Sequence, residues 1–226
     1  MPLLRVLESE VMSGAEEAAE YEEMDFSATD QLFAERAAEL GARLADSRAA
    51  APIVDIGSGN AKIPLAMCPL LHPDLRVCAV EMSSEMLAIA ARNRQRDEVS
   101  PARLQLISGD AKRLPFADAT IGMVTSNSLI HHIPDPRAVF REVARVLRPG
   151  GPILIRDLVR PADEHALQAL LEKHAAQSSP LQRTLFADSL RAALTVDEVR
   201  RMLDEAGLAD VQISQISDRH WSAQRA

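Results

Sequence analysis

VDIGSGNA at residues 54–61 is the stretch of sequence that decides the fold of this 226-residue chain. It joins a short apolar strand, predicted at 52–56, to a helix predicted from about residue 60 to 71. Gly57 and Gly59 permit backbone angles that other residues avoid, and they let a ligand lie against bare main chain. A tight turn without any ligand has the same pattern. The stretch therefore predicts the start of an α/β unit and leaves ligand binding open.

Strands and helices alternate along the rest of the chain. The predicted strands lie at 75–81, 103–108, 120–127 and 151–159, and the predicted helices at 27–46, 83–96 and 136–147. Parallel crossovers return the chain to the same end of a sheet, so this order predicts parallel strands with helices on both faces. A capped helix from Thr195, a strand at 211–217 and a tail around Trp221 follow. The sequence thus predicts a doubly wound, mostly parallel, seven-stranded α/β sheet with an antiparallel C-terminal edge strand.

Composition and charge disfavour several classes of protein. A net charge of -8 opposes a phosphate backbone, and aromatic residues make up only 3% of the chain, so we do not expect a nucleic-acid partner. No run of about 18 apolar residues could span a bilayer, and the acidic N-terminus lacks a signal-peptide core. Cys68 and Cys78 have no metal-ligand spacing. We therefore expect a cytoplasmic protein with reduced thiols and without a membrane or metal partner; the oligomeric state stays open.

An acid at the end of the second predicted strand suggests a nucleoside ligand. Glu81 lies 22 residues after Gly59, close to the interval of about 20 residues after which such folds place an acid for ribose hydroxyls. A dinucleotide dehydrogenase would need a third glycine at position 62, where this chain has Lys62. A nucleoside without a pyrophosphate fits better.

Over residues 20–217 the chain resembles the class I S-adenosylmethionine-dependent methyltransferases. VDIGSGNA is similar to the first motif of that family, with Ala61 where the family usually has its last glycine. NSLIHHIPDP at 127–136 resembles the fourth motif, and RVLRPGG at 145–151 resembles the turn before the fifth strand. The resemblance implies an enzyme that uses S-adenosylmethionine.

The resemblance also implies a set of cofactor contacts. Glu81 would bind the ribose, Met82 would lie against the adenine, and Asp110 would accept from the adenine amino group beside the Ala111 amide. Asp55 would fix the glycine loop or reach the cofactor ammonium through water; a purely structural carboxylate is the alternative. The complete set is Tyr21, Asp55, Gly57, Ser58, Gly59, Asn60, Glu81, Met82, Asp110, Ala111 and Asn127.

Tyr21 belongs to this set through a shorter match. Together with Met24 in AEYEEMD it is similar to the Y-x-x-M segment of quinone-type methyltransferases, which folds over the cofactor as a lid. An ordinary acidic leader with a partly buried tyrosine is the other interpretation, and both stay open.

Four residues are candidates for the acceptor side. His131 and His132 follow the fourth strand, and an imidazole titrates near neutrality, so either is a candidate base; a structural role is the alternative. A base is needed only if the acceptor must lose a proton as it attacks. Arg156 and Asp157 at the end of the fifth strand would line the pocket or pair with each other, and Arg156 would suit a carboxylate or phosphate.

We expect one methyltransferase domain that spans residues 1–226. Its expected parts are an N-terminal lid or helical segment (1–46), a cofactor-binding core (47–160), a helical substrate-side insertion (161–194) and a C-terminal helix with a strand pair (195–226). The expected reaction is methyl transfer to a small organic acceptor by in-line displacement, driven by proximity and orientation. Methylation of RNA or protein, and a non-catalytic cofactor-binding protein, are the alternatives.

Overall fold

The computed structural model describes residues 2–8, 26–44 and 51–226. The strands are β1 Ile53–Ile56, β2 Val77–Glu81, β3 Leu104–Ser108, β4 Met123–Asn127, β5 Ile153–Leu158, β6 Gln212–Gln215 and β7 His220–Arg225. The helices are α1 Ser27–Gly41, α2 Lys62–Met67, α3 Ser84–Arg96, α4 Arg137–Val146, α5 Glu164–His174, α6 Pro180–Ala192 and α7 Val196–Glu205. Short 3₁₀ segments span Ala42–Leu44 and Ile130–His132.

All seven strands form one sheet in the order β3-β2-β1-β4-β5-β7-β6. The pairs that join β1 to β2 and β4, β2 to β3, and β4 to β5 are parallel. Strand β7 pairs antiparallel with β5 and with β6. The predicted fold class, a mostly parallel seven-stranded α/β sheet with helices around it, is confirmed.

The antiparallel strand lies one position further inside the sheet than the sequence predicts. Strand β7 occupies the place between β5 and β6, so β6 forms the edge. Trp221 and Ala223 of β7 are completely buried, whereas most of β6 is exposed. The strand that can be covered therefore takes the interior position, and the more polar strand takes the edge.

The side chains of the sheet alternate between two hydrophobic cores. Val54 and Ile56 of β1 belong to a core with Phe140 of α4 and Val199 of α7, whereas Ile53 belongs to a second core that includes residues of α1 and α2. This alternation is the period of two that a strand imposes. The helices accordingly cover both faces, as the alternating sequence predicts.

Local sequence signals explain where two of the helices begin. Helix α7 starts at a reciprocal cap, because Thr195 Oγ1 accepts from the Glu198 amide at 3.3 Å and Glu198 Oε2 accepts from the Thr195 amide at 2.8 Å. Helix α2 starts two residues later than predicted because Ala61 has a φ of 61°.

None of the described helices is both long enough and apolar enough to cross a membrane.

The N-terminal segment 2–8 crosses the outside of the α/β core. The Leu3 amide donates to the Ala162 carbonyl at 3.0 Å, and the Val6 amide donates to the Arg191 carbonyl at 3.1 Å. The Arg5 guanidinium donates to the main-chain carbonyls of His131, Ile133, Pro134 and Ala192. The segment thereby joins the end of α6 to the turn after β4.

We expect the substitution Trp221→Ala to destabilise the fold by about 3–5 kcal/mol, because the indole is completely buried between β5 and β6. Urea unfolding followed by circular dichroism measures this change. Ile216→Ala, at a side chain that is 53% exposed in the same C-terminal region, is the control. A Trp221→Ala protein as stable as the control would contradict the assigned position of β7.

Candidate functional site

A cavity opens at the carboxyl ends of β1, β2, β3 and β4, where the strand order reverses between β1 and β4. This is the position at which open α/β sheets bind ligands. Its empty volume is about 1020 Å³, part of it open to solvent. The predicted site residues that line it are Asp55, Gly57, Ser58, Gly59, Asn60, Glu81, Met82, Asp110, Ala111, Asn127 and His132. Tyr21, with the lid assigned to it, lies outside the described residues.

The turn after β1 forms one wall of the cavity and leaves no room for a side chain at its first glycine. Gly57 has a φ of +68°, and a Cβ atom placed there would lie 2.6 Å from Leu129 Cδ1. The Gly57 and Ser58 amides both donate to the Val80 carbonyl, which ties the turn to β2. Ser58 Oγ is buried and has no hydrogen-bond partner in the described part of the chain. The wall therefore presents bare backbone and one unsatisfied hydroxyl.

Ala61, which stands where the family usually has a glycine, adopts a backbone conformation that favours glycine. Its φ and ψ are 61° and 21°, in the left-handed region, and its side chain is completely buried. For a residue with a Cβ atom this conformation costs roughly 1–2 kcal/mol. The departure from the family motif thus places strain in the turn.

Glu81 connects the glycine turn to the end of β2. Its Oε2 accepts from the Gly59 amide at 2.9 Å, and its Oε1 accepts from the amides of Met82 and Ser83 at 2.9 and 2.8 Å. The spacing of 22 residues indicates a ligand contact but gives no sign of these backbone bonds. A carboxylate has about four acceptor positions, so Oε2 keeps one for a ligand.

Asp110 lies across the cavity from this wall, in the turn after β3. Asp110 Oδ1 accepts from the Lys112 amide at 2.8 Å and lies 3.0 Å from Lys112 Nζ. Burial raises the pKa of Asp110, but the hydrogen bonds and the charge of Lys112 together lower it by more. The net pKa lies below the ordinary value, so the carboxyl is ionised near neutrality. Its Oδ2 makes no hydrogen bond within the described residues and is available to a donor in the cavity.

Asp55 lies at the bottom of the cavity and bonds to a neighbouring strand. Its Oδ1 accepts from Thr125 Oγ1 at 2.6 Å. Burial raises the pKa of Asp55 to about 7; the Thr125 hydroxyl opposes this, whereas the negative charges of Glu81 and Asp30 add to it. The sequence offers the loop amides or the ammonium as partners for Asp55, and the structure adds Thr125.

We expect the substitution Asp55→Asn to change how stability depends on pH. The folded protein holds the Asp55 proton up to a pH of about 7, whereas the unfolded chain loses it near the ordinary value of 3.8. The unfolded state therefore binds fewer protons between these values, and the wild-type free energy of unfolding falls as the pH rises through this range. The Asp55→Asn protein lacks this fall, so it gains up to roughly 4 kcal/mol relative to wild type by pH 7.

Urea unfolding of both proteins between pH 4 and 8 measures this difference. The control is Asp74→Asn, because the Asp74 carboxylate is 84% exposed. A stability difference between the Asp55→Asn and wild-type proteins that stays constant with pH would show that Asp55 is ionised in the fold.

The two adjacent histidines have different surroundings. His131 is buried and does not line the cavity; its Nδ1 lies 2.5 Å from Asp157 Oδ1 and its Nε2 lies 3.5 Å from Glu8 Oε1. Burial lowers the pKa of His131, but the charge of Asp157, its hydrogen bond to the ring and the charge of Glu8 together raise it by more. His132 lines the cavity, and its Nδ1 lies 3.0 Å from Glu8 Oε1. Of the two predicted bases, only His132 is therefore positioned to meet a ligand in this cavity.

The side chains of Arg156 and Asp157 point to opposite faces of the sheet, and Arg156 contacts Asn127, which lines the cavity. Neighbouring residues of a strand point to opposite faces. Asp157 is 1% exposed and accepts from the Ile130 and His131 amides. The Arg156 guanidinium donates to Asn127 Oδ1 at 2.7 Å and lies over the Phe33 ring on the α1 face. Neither residue lines the cavity. The expectation that they line the pocket or pair with each other is not met.

The predicted insertion at 161–194 does not line this cavity either. Leu167, Leu171 and Leu190 of this stretch pack together with Leu158 at the end of β5.

Glu8, which approaches both histidines, is a residue that sequence reasoning misses. Burial raises the pKa of Glu8, but His132, His131 and Ser189 together lower it. No spacing in the sequence connects Glu8 to residues 131 and 132.

Comparison with known proteins agrees with this geometry. The sequence profile of a family described as a methyltransferase domain matches residues 54–155, from β1 into β5. Residues 54–155 thus match a methyltransferase domain, and the chain is similar to the class I S-adenosylmethionine-dependent methyltransferases. This result confirms the family resemblance of the sequence, and the matched range contains Gly57, Gly59, Glu81 and Asp110.

Individual members of the family cover different shares of the chain. An arsenite methyltransferase of Halobacterium salinarum is 30% identical over 222 residues, which are 92% of this chain and 53% of that protein. The chain thus spans about half the length of that relative. A ubiquinone/menaquinone biosynthesis C-methyltransferase of Hahella chejuensis is 28% identical over 171 residues, which are 71% of this chain and 68% of that protein.

Solved structures of the family share the fold. A crystal structure of a protein from Methanococcus maripaludis, described as a putative S-adenosyl-L-methionine-dependent methyltransferase, superposes with a TM-score of 0.69. The aligned region covers 98% of this chain and 96% of that chain, at 20% sequence identity. At this level of identity the superposition supports the fold alone.

Proposed function

We propose that this chain binds S-adenosylmethionine in the cavity at the β1–β4 switch point and transfers its methyl group to a small organic acceptor. The observation that carries the proposal is that one cavity gathers the glycine turn, Glu81 and Asp110 at the ends of three neighbouring parallel strands. The cofactor, when bound, supplies a methyl group on a positively charged sulfur.

The polar groups around the cavity suit the different parts of this cofactor. Oε2 of Glu81 has an acceptor position for a ribose hydroxyl, and Oδ2 of Asp110 has one for the adenine amino group. Met82, which is 50% exposed at the cavity wall, offers apolar surface to the adenine ring. Ser58 Oγ, buried without a partner, offers a hydrogen bond to the amino-acid part of the cofactor.

Asp55 adds a charge-dependent contact at the same end of the cavity. Its pKa of about 7 means that the carboxyl is largely protonated in slightly acidic solution. A cofactor ammonium nearby would favour the ionised carboxylate, because opposite charges at short range stabilise each other. Asp55 would thereby bind the ammonium more strongly as the pH rises.

The chain would accelerate the transfer mainly by orientation. The glycine turn, Glu81 and Asp110 hold the methyl group in one direction, and an acceptor held in line with it can gain about 7–11 kcal/mol from alignment. His132 is the predicted base that lines the cavity, and it would take the proton of an acceptor that must lose one. His131 acts through the turn that it stabilises with Asp157.

The acceptor that we propose is small. The named relatives act on arsenite and on ubiquinone or menaquinone precursors, as their names state. The net charge of -8 opposes RNA as the acceptor.

We further propose a single domain with the lid at Tyr21, and a cytoplasmic location. Cys68 and Cys78 support this location, because both are buried thiols without a disulfide bond.

We expect the substitution Glu81→Gln to raise the dissociation constant for S-adenosylmethionine by more than ten-fold. The substitution removes the charge that bonds both the Gly59 amide and a ribose hydroxyl, and charged hydrogen bonds contribute about 1.5–3 kcal/mol each. Isothermal titration calorimetry measures the constant. Glu85→Gln is the matched control, because Glu85 lies four residues further along and does not line the cavity. An unchanged constant for Glu81→Gln would refute the proposed ribose contact.

A methyl-transfer assay tests the acceptor class. The purified chain is incubated with radiolabelled S-adenosylmethionine and a cell extract, and the labelled products are separated by size. We expect the chain to increase the label in small molecules above the level that the extract gives without it. Label in RNA or protein would replace the proposed acceptor by a macromolecule. Tight cofactor binding without any labelled product would instead favour a non-catalytic protein.

A further inference from the structure

Three potential metal ligands converge where the N-terminal segment meets the turn after β4. Glu8 Oε1 lies 3.0 Å from His132 Nδ1 and 3.5 Å from His131 Nε2. All three atoms lie within 4.8 Å of one another. The cluster combines a residue from near the N-terminus with two from the fourth motif, and the cofactor site described above uses neither Glu8 nor His131.

The spacing of these atoms matches that of ligands on a common ion. Two ligands that each lie about 2.1 Å from a tetrahedral zinc ion are separated by roughly 3.4 Å. The two distances from Glu8 Oε1 to the imidazole nitrogens are 3.0 and 3.5 Å. Glu8 Oε1 is buried, yet neither neighbouring imidazole has the alignment of a hydrogen bond to it. A cation between these atoms would satisfy the oxygen that the protein leaves without a partner.

The surroundings hold two of the ligands in the orientation that a metal needs. His131 Nδ1 lies 2.5 Å from Asp157 Oδ1, so this carboxylate can fix the ring and leave Nε2 with its lone pair toward Glu8. Metal-binding histidines almost always have such an outer partner for the second ring nitrogen. Glu8 Oε2 accepts from Ser189 Oγ at 3.1 Å, which directs Oε1 toward the histidines.

We propose that Glu8, His131 and His132 form a binding site for one divalent transition-metal ion, with Zn²⁺ as the best match. Two imidazoles and one carboxylate are typical ligands of zinc and are poorly suited to magnesium or calcium. Three protein ligands leave one position for water. The bound ion fastens the N-terminal segment 2–8 to the turn after β4, beside the wall of the cofactor cavity.

His132 cannot act as a base while its Nδ1 binds a metal ion. An ion bound to Nδ1 leaves a protonated Nε2 on His132, which donates a hydrogen bond and accepts no proton. The site would therefore assign His132 a fixed donor role at the cavity wall. A bound ion would remove the proposed base role of His132 but not the proposed methyl transfer itself. Because the metal can be measured without methyl donor or acceptor, failure of one proposal is distinguishable from failure of the other.

Metal titration of the full chain tests the site. After dialysis against a chelator, ZnCl₂ is titrated into wild-type protein and into the variants Glu8→Gln and His132→Gln, with folding checked by circular dichroism. We expect one Zn²⁺ per chain, and binding at least ten-fold weaker in each variant. His174→Gln is the control: His174 Nε2 contacts Asp218 Oδ2 at 2.9 Å, but this pair belongs to no three-ligand cluster among the described residues. Its affinity should equal that of wild type.

Cobalt substitution provides a second measurement on the unmodified protein. Co²⁺ at the proposed site should give the intense visible absorption of a four-coordinate ion, and Zn²⁺ should displace it. No stoichiometric binding, equal affinity in the Glu8→Gln and wild-type proteins, or only the weak absorption of hydrated six-coordinate cobalt would each overturn the proposal. If a histidine variant does not fold, Glu8→Gln and the cobalt spectrum decide.

Discussion

The backbone turn after β1, closed by the Glu81 carboxylate, is the constraint on which the rest of the site depends. Gly57 can take its positive φ only without a side chain, because Leu129 fills the space beside it. The Glu81 carboxylate then bonds the Gly59 amide and the start of the next turn together. The bonds from Glu81 to the Gly59 and Met82 amides fix the turn after β1 against the end of β2. One wall of the cavity is therefore fixed. The same carboxylate is thus structural in the chain and available to a ligand.

Sequence reasoning reached the order of the elements and 11 of the 20 residues that line the cavity, because both follow from local patterns. Strand ends in a parallel sheet meet at one edge, so Glu81, Asp110 and Asn127 could be placed together from their positions in the chain. The missing parts depend on packing between distant segments. The bond from Thr125 to Asp55 joins side chains on neighbouring strands, and the interior position of β7 depends on which strand can be covered. The opposite directions of Arg156 and Asp157 follow from strand alternation, which could have been applied to the sequence.

The N-terminal segment shows most clearly what a sequence does not reveal. Arg5 donates to four main-chain carbonyls of the turn after β4 and of the end of α6, and no local motif marks it for this task. Glu8 reaches the histidine pair from the same segment. The segment therefore contributes polar groups to a region that the fourth motif alone would leave incomplete. Its contacts also explain why the histidine pair belongs to two environments, with one ring inside the fold and the other at the cavity.

The position of Trp221 gives the chain an intrinsic optical reporter. It is the sole tryptophan, and in the β5–β7 ladder it stands opposite Asp157, the carboxylate that holds His131. Side chains at opposite positions of an antiparallel pair have Cβ atoms about 4.5–5.5 Å apart. The emission of this indole is therefore sensitive to the charge and arrangement of the Asp157–His131 pair. Rearrangements in the turn after β4 can be followed by fluorescence in the natural sequence, without attaching a dye.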